Sequence, residues 1–123
     1  FGGKDTPSCG FGIGFDRVAV SIGEFKPSRG PSVAVVCTKE TRTAAYKAAS
    51  AFREAGIPAV MDLLDRGFGA QLSSALKSGA THAVVIGAKE AEAGTVMLKN
   101  LETAVQTEMT LEAAVEEVLH GSC

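Results

Sequence analysis

The order of apolar runs along the chain predicts an α/β fold, a mixed five-stranded sheet with helices on both faces. Three observations predict it. "SVAVVCT" (32–38) and "HAVVIGAKE" (82–90) hold unbroken β-branched runs, the mark of strands buried on both sides. The segments between and after them carry apolar residues at helical spacing. "GTVMLKNL" (94–101) and "AVQTEM" (104–109) are short, neighbouring and extended in character, which forces at least one antiparallel pairing.

Taken in order, residues 32–38 form the first buried strand. Thr38 is placed to cap the helix that follows, "KETRTAAYKAASAFREAG" (39–56). Ala45, Ala48, Ala49 and Phe52 share one face of that helix, while Lys39, Arg42, Lys47 and Arg53 largely face away and Tyr46 lies on its surface or rim. Gly56 stops it, and Pro58 opens an extended segment, "PAVMDL". "RGFGAQLSSALKSG" (66–79) reads as a second helix with Leu72 and Leu76 four apart. The third buried strand and the two short strands follow. "TLEAAVEEVLHG" closes the chain as a helix capped by Thr110, with Leu111, Val115, Val118 and Leu119 inward. The parallel βαβ units are expected to cross over right-handed.

The first 32 residues differ in character. "FGGKDTPSCG" is loop-like, "FGIGFDRVAVSIG" is a strand passing into a continuous apolar segment, and "EFKPSRGPS" reads as a linker. The expected division is 1–26, a linker at 27–31, and a main unit at 32–123. Because the chain opens on Phe1, inside what reads as a motif, it is expected to be part of a longer protein.

Composition narrows the function classes. The chain has 123 residues, 46% hydrophobic and 21% charged, enough for one packed core. Twelve basic and fourteen acidic side chains give a net charge of −2, which argues against strong sequence-independent binding to nucleic acid. No apolar run approaches the roughly 18–20 residues that span a bilayer, and no signal peptide is visible, so a cytoplasmic location without membrane contact is expected. Cys9, Cys37 and Cys123 are scattered and odd in number, so neither disulfides nor a metal site are expected.

The glycine run "GFGIGFDRV" is the first candidate for chemistry. Gly10, Gly12 and Gly14 superficially match a dinucleotide-binding loop, but that loop follows a strand and opens a helix, and no strand precedes this one. Two readings remain: a turn-rich arm, or a glycine-floored strand with an arginine at its rim. Arginine suits the second because its planar fork donates parallel hydrogen bonds to phosphate and stays charged.

Here the residues carry a family resemblance. "GGKDTPSCGFGIGFDRV" resembles motif 3 of class II aminoacyl-tRNA synthetases in the form of the histidyl enzymes. "SVAVVC", "FREAGIPAVMDLLDR", "HAVVIGAKEAEAGTVMLKNLET" and the closing helix resemble the anticodon-binding domain shared by histidyl, threonyl, prolyl and glycyl enzymes. Together these matches cover essentially the whole chain, with "IGAKE…GTVMLKN" the most specific element of the second. The resemblance implies a three-layer anticodon-binding domain preceded by a strand and helix remnant of a catalytic domain. It implies a parent that activates histidine with ATP and Mg2+ and transfers it to tRNA as a homodimer. In that parent Arg17 would bind ATP phosphate, with Gly12 and Gly14 in the adenosine or amino-acid floor. The other two class II motifs are absent from this chain, so it is not expected to be catalytically competent or to need a cofactor by itself. A non-catalytic relative used for regulation or protein contact, or the equivalent domain of a prolyl, threonyl or glycyl enzyme, stands as the alternative. The expected partner is the tRNA anticodon stem-loop and not DNA.

Glu90 and Lys99, nine residues apart, flank a turn at Gly94 at the ends of two consecutive short strands. Ordinary surface charge explains them as far as pattern goes. Single-stranded RNA, however, is read on the edges of splayed bases, where a carboxylate accepts from guanine N–H groups and a lysine reaches O6 or a phosphate. In relatives the glutamate and the basic residue at this spacing read anticodon bases, and lysine lacks the bidentate fork of the arginine often found at the second position. Lys39, Arg42, Arg66 and Lys89 lie near expected carboxyl ends of strands, the edge where open α/β sheets bind ligands, and as a group they would track phosphate. His82 and His120 are assigned structural roles, and Cys9, with no base nearby, none in catalysis.

Overall fold

The β-branched run behaves as its composition demands. Val33, Ala34, Val35, Val36 and Cys37 are all buried, and they form β1 (Val33–Cys37). The structure is a computed structural model that describes residues 2–24 and 30–121. The remaining elements are α1 (Phe15–Ile22), α2 (Arg42–Glu54), β2 (Ala59–Met61), α3 (Phe68–Lys77), β3 (His82–Ile86), α4 (Ala88–Ala93), β4 (Thr95–Asn100), β5 (Gln106–Thr110) and α5 (Leu111–His120). The five strands make one sheet in the order β2-β1-β3-β4-β5. β2 and β3 both run parallel to β1, whereas β3–β4 and β4–β5 are antiparallel. The sheet is mixed, as expected.

This order explains why helices lie on both faces. β2 sits on one side of β1 and β3 on the other, so two crossovers of the same hand send α2 and α3 to opposite faces. Strand alternation gives each face its lining. Val33, Val35, Cys37, Val84, Ile86, Val96 and Leu98 pack with Ala45, Ala48, Ala49 and Phe52 of α2 and with Ala114 and Val118 of α5. Ala34 and Val36 face α3, against Gln71, Ser74 and Ala75. Phe52 is the largest fully buried side chain, and truncating it to alanine is expected to cost about 3–5 kcal/mol. The inward residues assigned to α2 are all buried, Tyr46 is exposed, and Gly56 takes a positive φ of 80° after the helix.

Several expectations need correction. α2 starts at Arg42, and Thr41, not Thr38, is its N-cap residue; the Thr41 hydroxyl instead accepts from the Thr38 amide and donates to Ile86 O. Arg53 does not simply face water: Nε and Nη2 both donate to Ala59 O, tying α2 to β2. On α3 the buried residues are Gln71 and Ala75, while Leu76 is exposed; on α5 Ala114 and Val118 are buried, Leu111 and Val115 pack against the core as expected, and Leu119 is exposed. β3 ends at Ile86, and residues 88–93 form a helix where a strand was expected. "AKEAEA" consists of strong helix formers, Glu90 reaches back to the Gly87 amide, and Gly94 ends the turn at φ 70°, ψ 22°.

The amino-terminal segment also differs. Residues 10–14 form no strand, and the apolar segment after them is α1, none of whose residues is buried. A strand needs a neighbouring strand to pair with, and among the described residues the five strands of the sheet are all in the main unit. Most of the expected linker at 27–31, and Cys123, lie outside the described residues.

Candidate functional site

The carboxyl ends of β1, β2 and β3 meet at one rim, and the segments leaving them are fastened to each other by buried polar groups. Gln71, 5% exposed on α3, accepts from the Cys37 amide at 3.1 Å and donates to Cys37 O at 2.8 Å. The same Nε2 donates to Arg66 O, so one amide joins β1, α3 and the loop between β2 and α3. Thr41, 4% exposed, bridges from the segment after β1 to the end of β3 through Ile86 O at 2.7 Å. A polar residue four positions from Ala75 on an inward face is the sequence signal that would have found Gln71. Without their partners, these strand-end amides and carbonyls would be buried and unsatisfied.

Two arginines of this rim are paired with aspartates. Arg42 forms an ion pair with Asp65, and Arg66 donates from Nε to Asp62 Oδ2. The Asp62 carboxyl is held below the ordinary aspartate value, chiefly by the Leu64 amide, which donates to Oδ1, and further by the Arg66 guanidinium. Burial raises the Cys37 thiol pKa, against the pull of Arg42. Two of the expected phosphate-tracking cations are therefore already occupied by carboxylates of residues 62–65, one of them four residues away in sequence and the other reached only through the fold. Lys39 and Lys89 are exposed at the same rim.

Glu90 and Lys99 are not joined by a hairpin turn at Gly94. Glu90 stands in the first turn of α4, with Oε2 accepting from the Gly87 amide at 2.9 Å, and Lys99 lies in β4, opposite Ala83 on β3 and Gln106 on β5. The actual hairpin is β4–β5. Its turn is closed by Asn100, whose Oδ1 accepts from the Glu102 and Thr103 amides. Because Val96 and Leu98 point into the core, Thr95, Met97 and Lys99 point to the other face, beside Thr110, Glu108 and Gln106. Gln106 and Glu108 are exposed there, Lys99 is half-buried, and Thr95 donates to Glu108 at 2.7 Å. This is a polar sheet surface at the edge of the fold, on which Lys99 lies toward the start of β3 while Glu90 follows the other end of that strand.

Gly12 and Gly14 are exposed; a Cβ at Gly12 would meet no atom within 4 Å, and one at Gly14 would stand 3.8 Å from the Arg17 side chain. Arg17 lies on α1 in a shallow concavity with Asp16, Val20 and Ser21. These residues offer one guanidinium and bare backbone, which by themselves do not enclose a nucleotide. His82 opens β3, where its Nδ1 lies 2.8 Å from Thr81 Oγ1; burial lowers its pKa, and Glu117 partly offsets this. His120 occupies the last turn of α5. Among the described residues no group of three or more His, Cys, Asp or Glu is arranged to hold a metal, and no helix is long and apolar enough to cross a membrane.

Known proteins match both the sequence and this geometry. The family profile described as an anticodon binding domain matches residues 32–120, which include every strand of the sheet. The chain is 73% identical over 123 residues to a histidine–tRNA ligase of Methanocorpusculum labreanum, covering all of this chain and 30% of that protein. It is 34% identical over 125 residues to a histidine–tRNA ligase of Listeria monocytogenes, covering 98% of this chain and 29% of that one. The crystal structure of histidyl-tRNA synthetase from Nostoc sp. PCC 7120 superimposes with a TM-score of 0.68 at 29% identity, over 87% of this chain and 25% of its own. The chain thus spans about a third of the curated relatives it matches.

Proposed function

We propose, since this chain belongs to the anticodon-binding-domain family, that it is the part of a histidine–tRNA ligase that holds the anticodon stem-loop of tRNA. The observation that carries this reading is that the matched residues, 32–120, are the same residues that build the five-stranded unit, with its polar β4–β5 face and the Glu90 rim. In the parent, ATP-dependent activation of histidine would precede its transfer to tRNA. Residues 1–26 would be the tail of the catalytic domain, joined through 27–31. Arg17 would face ATP phosphate there, with Gly12 and Gly14 leaving room at its side and Mg2+ accompanying the nucleotide. A cytoplasmic homodimer is the assembly this reading implies.

The physics of the main unit suits a selective reader more than an electrostatic clamp. With a net charge of −2 on the whole chain and two arginines of this unit paired to aspartates, little positive charge remains to hold phosphate indiscriminately. Selectivity then rests on a few groups aimed at base edges. Glu90 accepts from the N–H groups of a guanine edge, and Lys99 reaches O6 or a nearby phosphate, with Lys89 at the same rim. Binding of the chain to a stem-loop bearing the histidine anticodon, against the same stem with a scrambled loop, tests this. Glu90→Ala should weaken the first more than the second, and equal losses on both RNAs would remove Glu90 from base reading.

A further inference from the structure

Gly87 separates β3 from α4 with φ −91° and ψ −176°, an extended conformation open to any residue. Its need for glycine is therefore not conformational. A Cβ at position 87 would stand 2.8 Å from Glu90 Oε2, the oxygen that accepts from the Gly87 amide, and 4.0 Å from Phe68 Cζ. Phe68 opens α3, and 38% of it remains exposed even though α3 packs on the sheet. One bare backbone position thus has a carboxylate and a partly exposed aromatic ring both within 4 Å of where its Cβ would be.

Resting on the reading of Glu90 given above, we propose that Gly87 and Phe68 form the seat of the base that Glu90 reads. The missing Cβ leaves room for the Glu90 carboxylate where the Gly87 amide holds it, beside the partly exposed Phe68 ring. Phe68 supplies the apolar surface on which an unstacked base rests, since every base has a face that stacks on an aromatic ring. Gly87 is a positioning residue in this arrangement, and Phe68 a base-contacting one. Neither bears a charge, so the signature is a loss that depends on unpaired bases and not on salt.

The test is fluorescence anisotropy of the 123-residue chain against three RNAs at one salt concentration: the histidine anticodon stem-loop, the same stem with a scrambled loop, and a blunt duplex of the stem. Phe68→Ala should weaken both loops roughly tenfold and leave the duplex unchanged. Phe68→Leu, which keeps apolar bulk without a flat face, should show the same loss with an unchanged urea midpoint, and Phe68→Tyr should bind as the parent chain does. Gly87→Ala should erase the preference for the anticodon loop as fully as Glu90→Ala, and the double variant should lose nothing more. Wild-type binding by Phe68→Leu, or full preference in Gly87→Ala while Glu90→Ala loses it, overturns the seat and leaves the Glu90 reading standing. An unaffected Glu90→Ala overturns both.

Discussion

Gln71 and Cys37 exchange two hydrogen bonds, side-chain amide to main chain, in the buried layer between α3 and the end of β1. The pairing resembles a ladder rung supplied by a side chain. It satisfies the last residue of β1, where β2, ending at Met61 opposite Val35, no longer pairs. Gln71→Ala is expected to destabilise the chain by about 2–3 kcal/mol, because a buried donor and a buried acceptor both lose their partner. Gln71→Glu should be nearly as costly, since the donor to Cys37 O is gone. Urea unfolding of the two variants checks this, and a midpoint unchanged in Gln71→Ala would refute it.

The aspartates of residues 62–65 hold two arginines that would otherwise face solvent or phosphate. Converting both Asp62 and Asp65 to asparagine should raise affinity for any RNA stem-loop several-fold. It should also steepen the dependence of log K on log salt by about 0.7 for each new phosphate contact. Anisotropy titrations at several salt concentrations measure both effects. Unchanged slopes would mean that neither arginine reaches RNA.

Asp62 also sets a pH response. Its folded pKa is depressed, so its contribution is fully present above the ordinary aspartate value of about 3.9 and is lost as pH falls through the lower folded value. The Leu64 amide, which donates to this carboxylate, should report the titration as an NMR shift centred below that ordinary value. In Asp62→Asn the shift should be absent.

His82 gives a second response, in a milder range. Burial lowers its folded pKa, so the unfolded chain takes up the proton first, and stability should fall as pH drops from the ordinary histidine value near 6.5 through the folded one. His82→Gln should flatten this part of the profile, seen as urea midpoints compared at pH 7.5 and 5.5. An equal slope in both proteins would assign the effect elsewhere.

Arg17→Ala in the full-length parent should depress ATP–pyrophosphate exchange by on the order of a hundredfold, the scale of removing one fixed donor from a developing charge. Arg17 is exposed on a helix with no buried residue, so the urea midpoint of the anticodon-binding unit should not move. An unchanged exchange rate refutes the phosphate role.

Much of this was legible in the residues. Unbroken β-branched runs marked β1 and β3, helical spacing marked the inward face of α2, and the short interval between β4 and β5 required their antiparallel pairing. The most specific element of the match to the anticodon-binding domain, "IGAKE…GTVMLKN", contains Gly87, Glu90 and Lys99. Less legible was α4. "GAKEAEAG" continues an apolar strand without a turn signal stronger than Gly87, and the cap that makes it a helix is a contact between a side chain and an amide three residues away. Phe68, flanked by glycines in "GFG", carried no mark of standing beside Gly87.

The sequence by itself determined the α/β class, the strand count and the core residues of β1, β3 and α2. Periodicity and β-branching act locally, and each residue contributes them regardless of what lies across the sheet. Only the tertiary structure decided that Arg42 is paired with Asp65, that Gln71 closes the end of β1, and that Phe68 stands close to Gly87 and Glu90. Those relationships join segments that meet only once the strand order β2-β1-β3 brings three strand ends to one rim. Electrostatic pairing and steric fit depend on distances of a few ångströms between such segments, and spacing along the chain does not encode them.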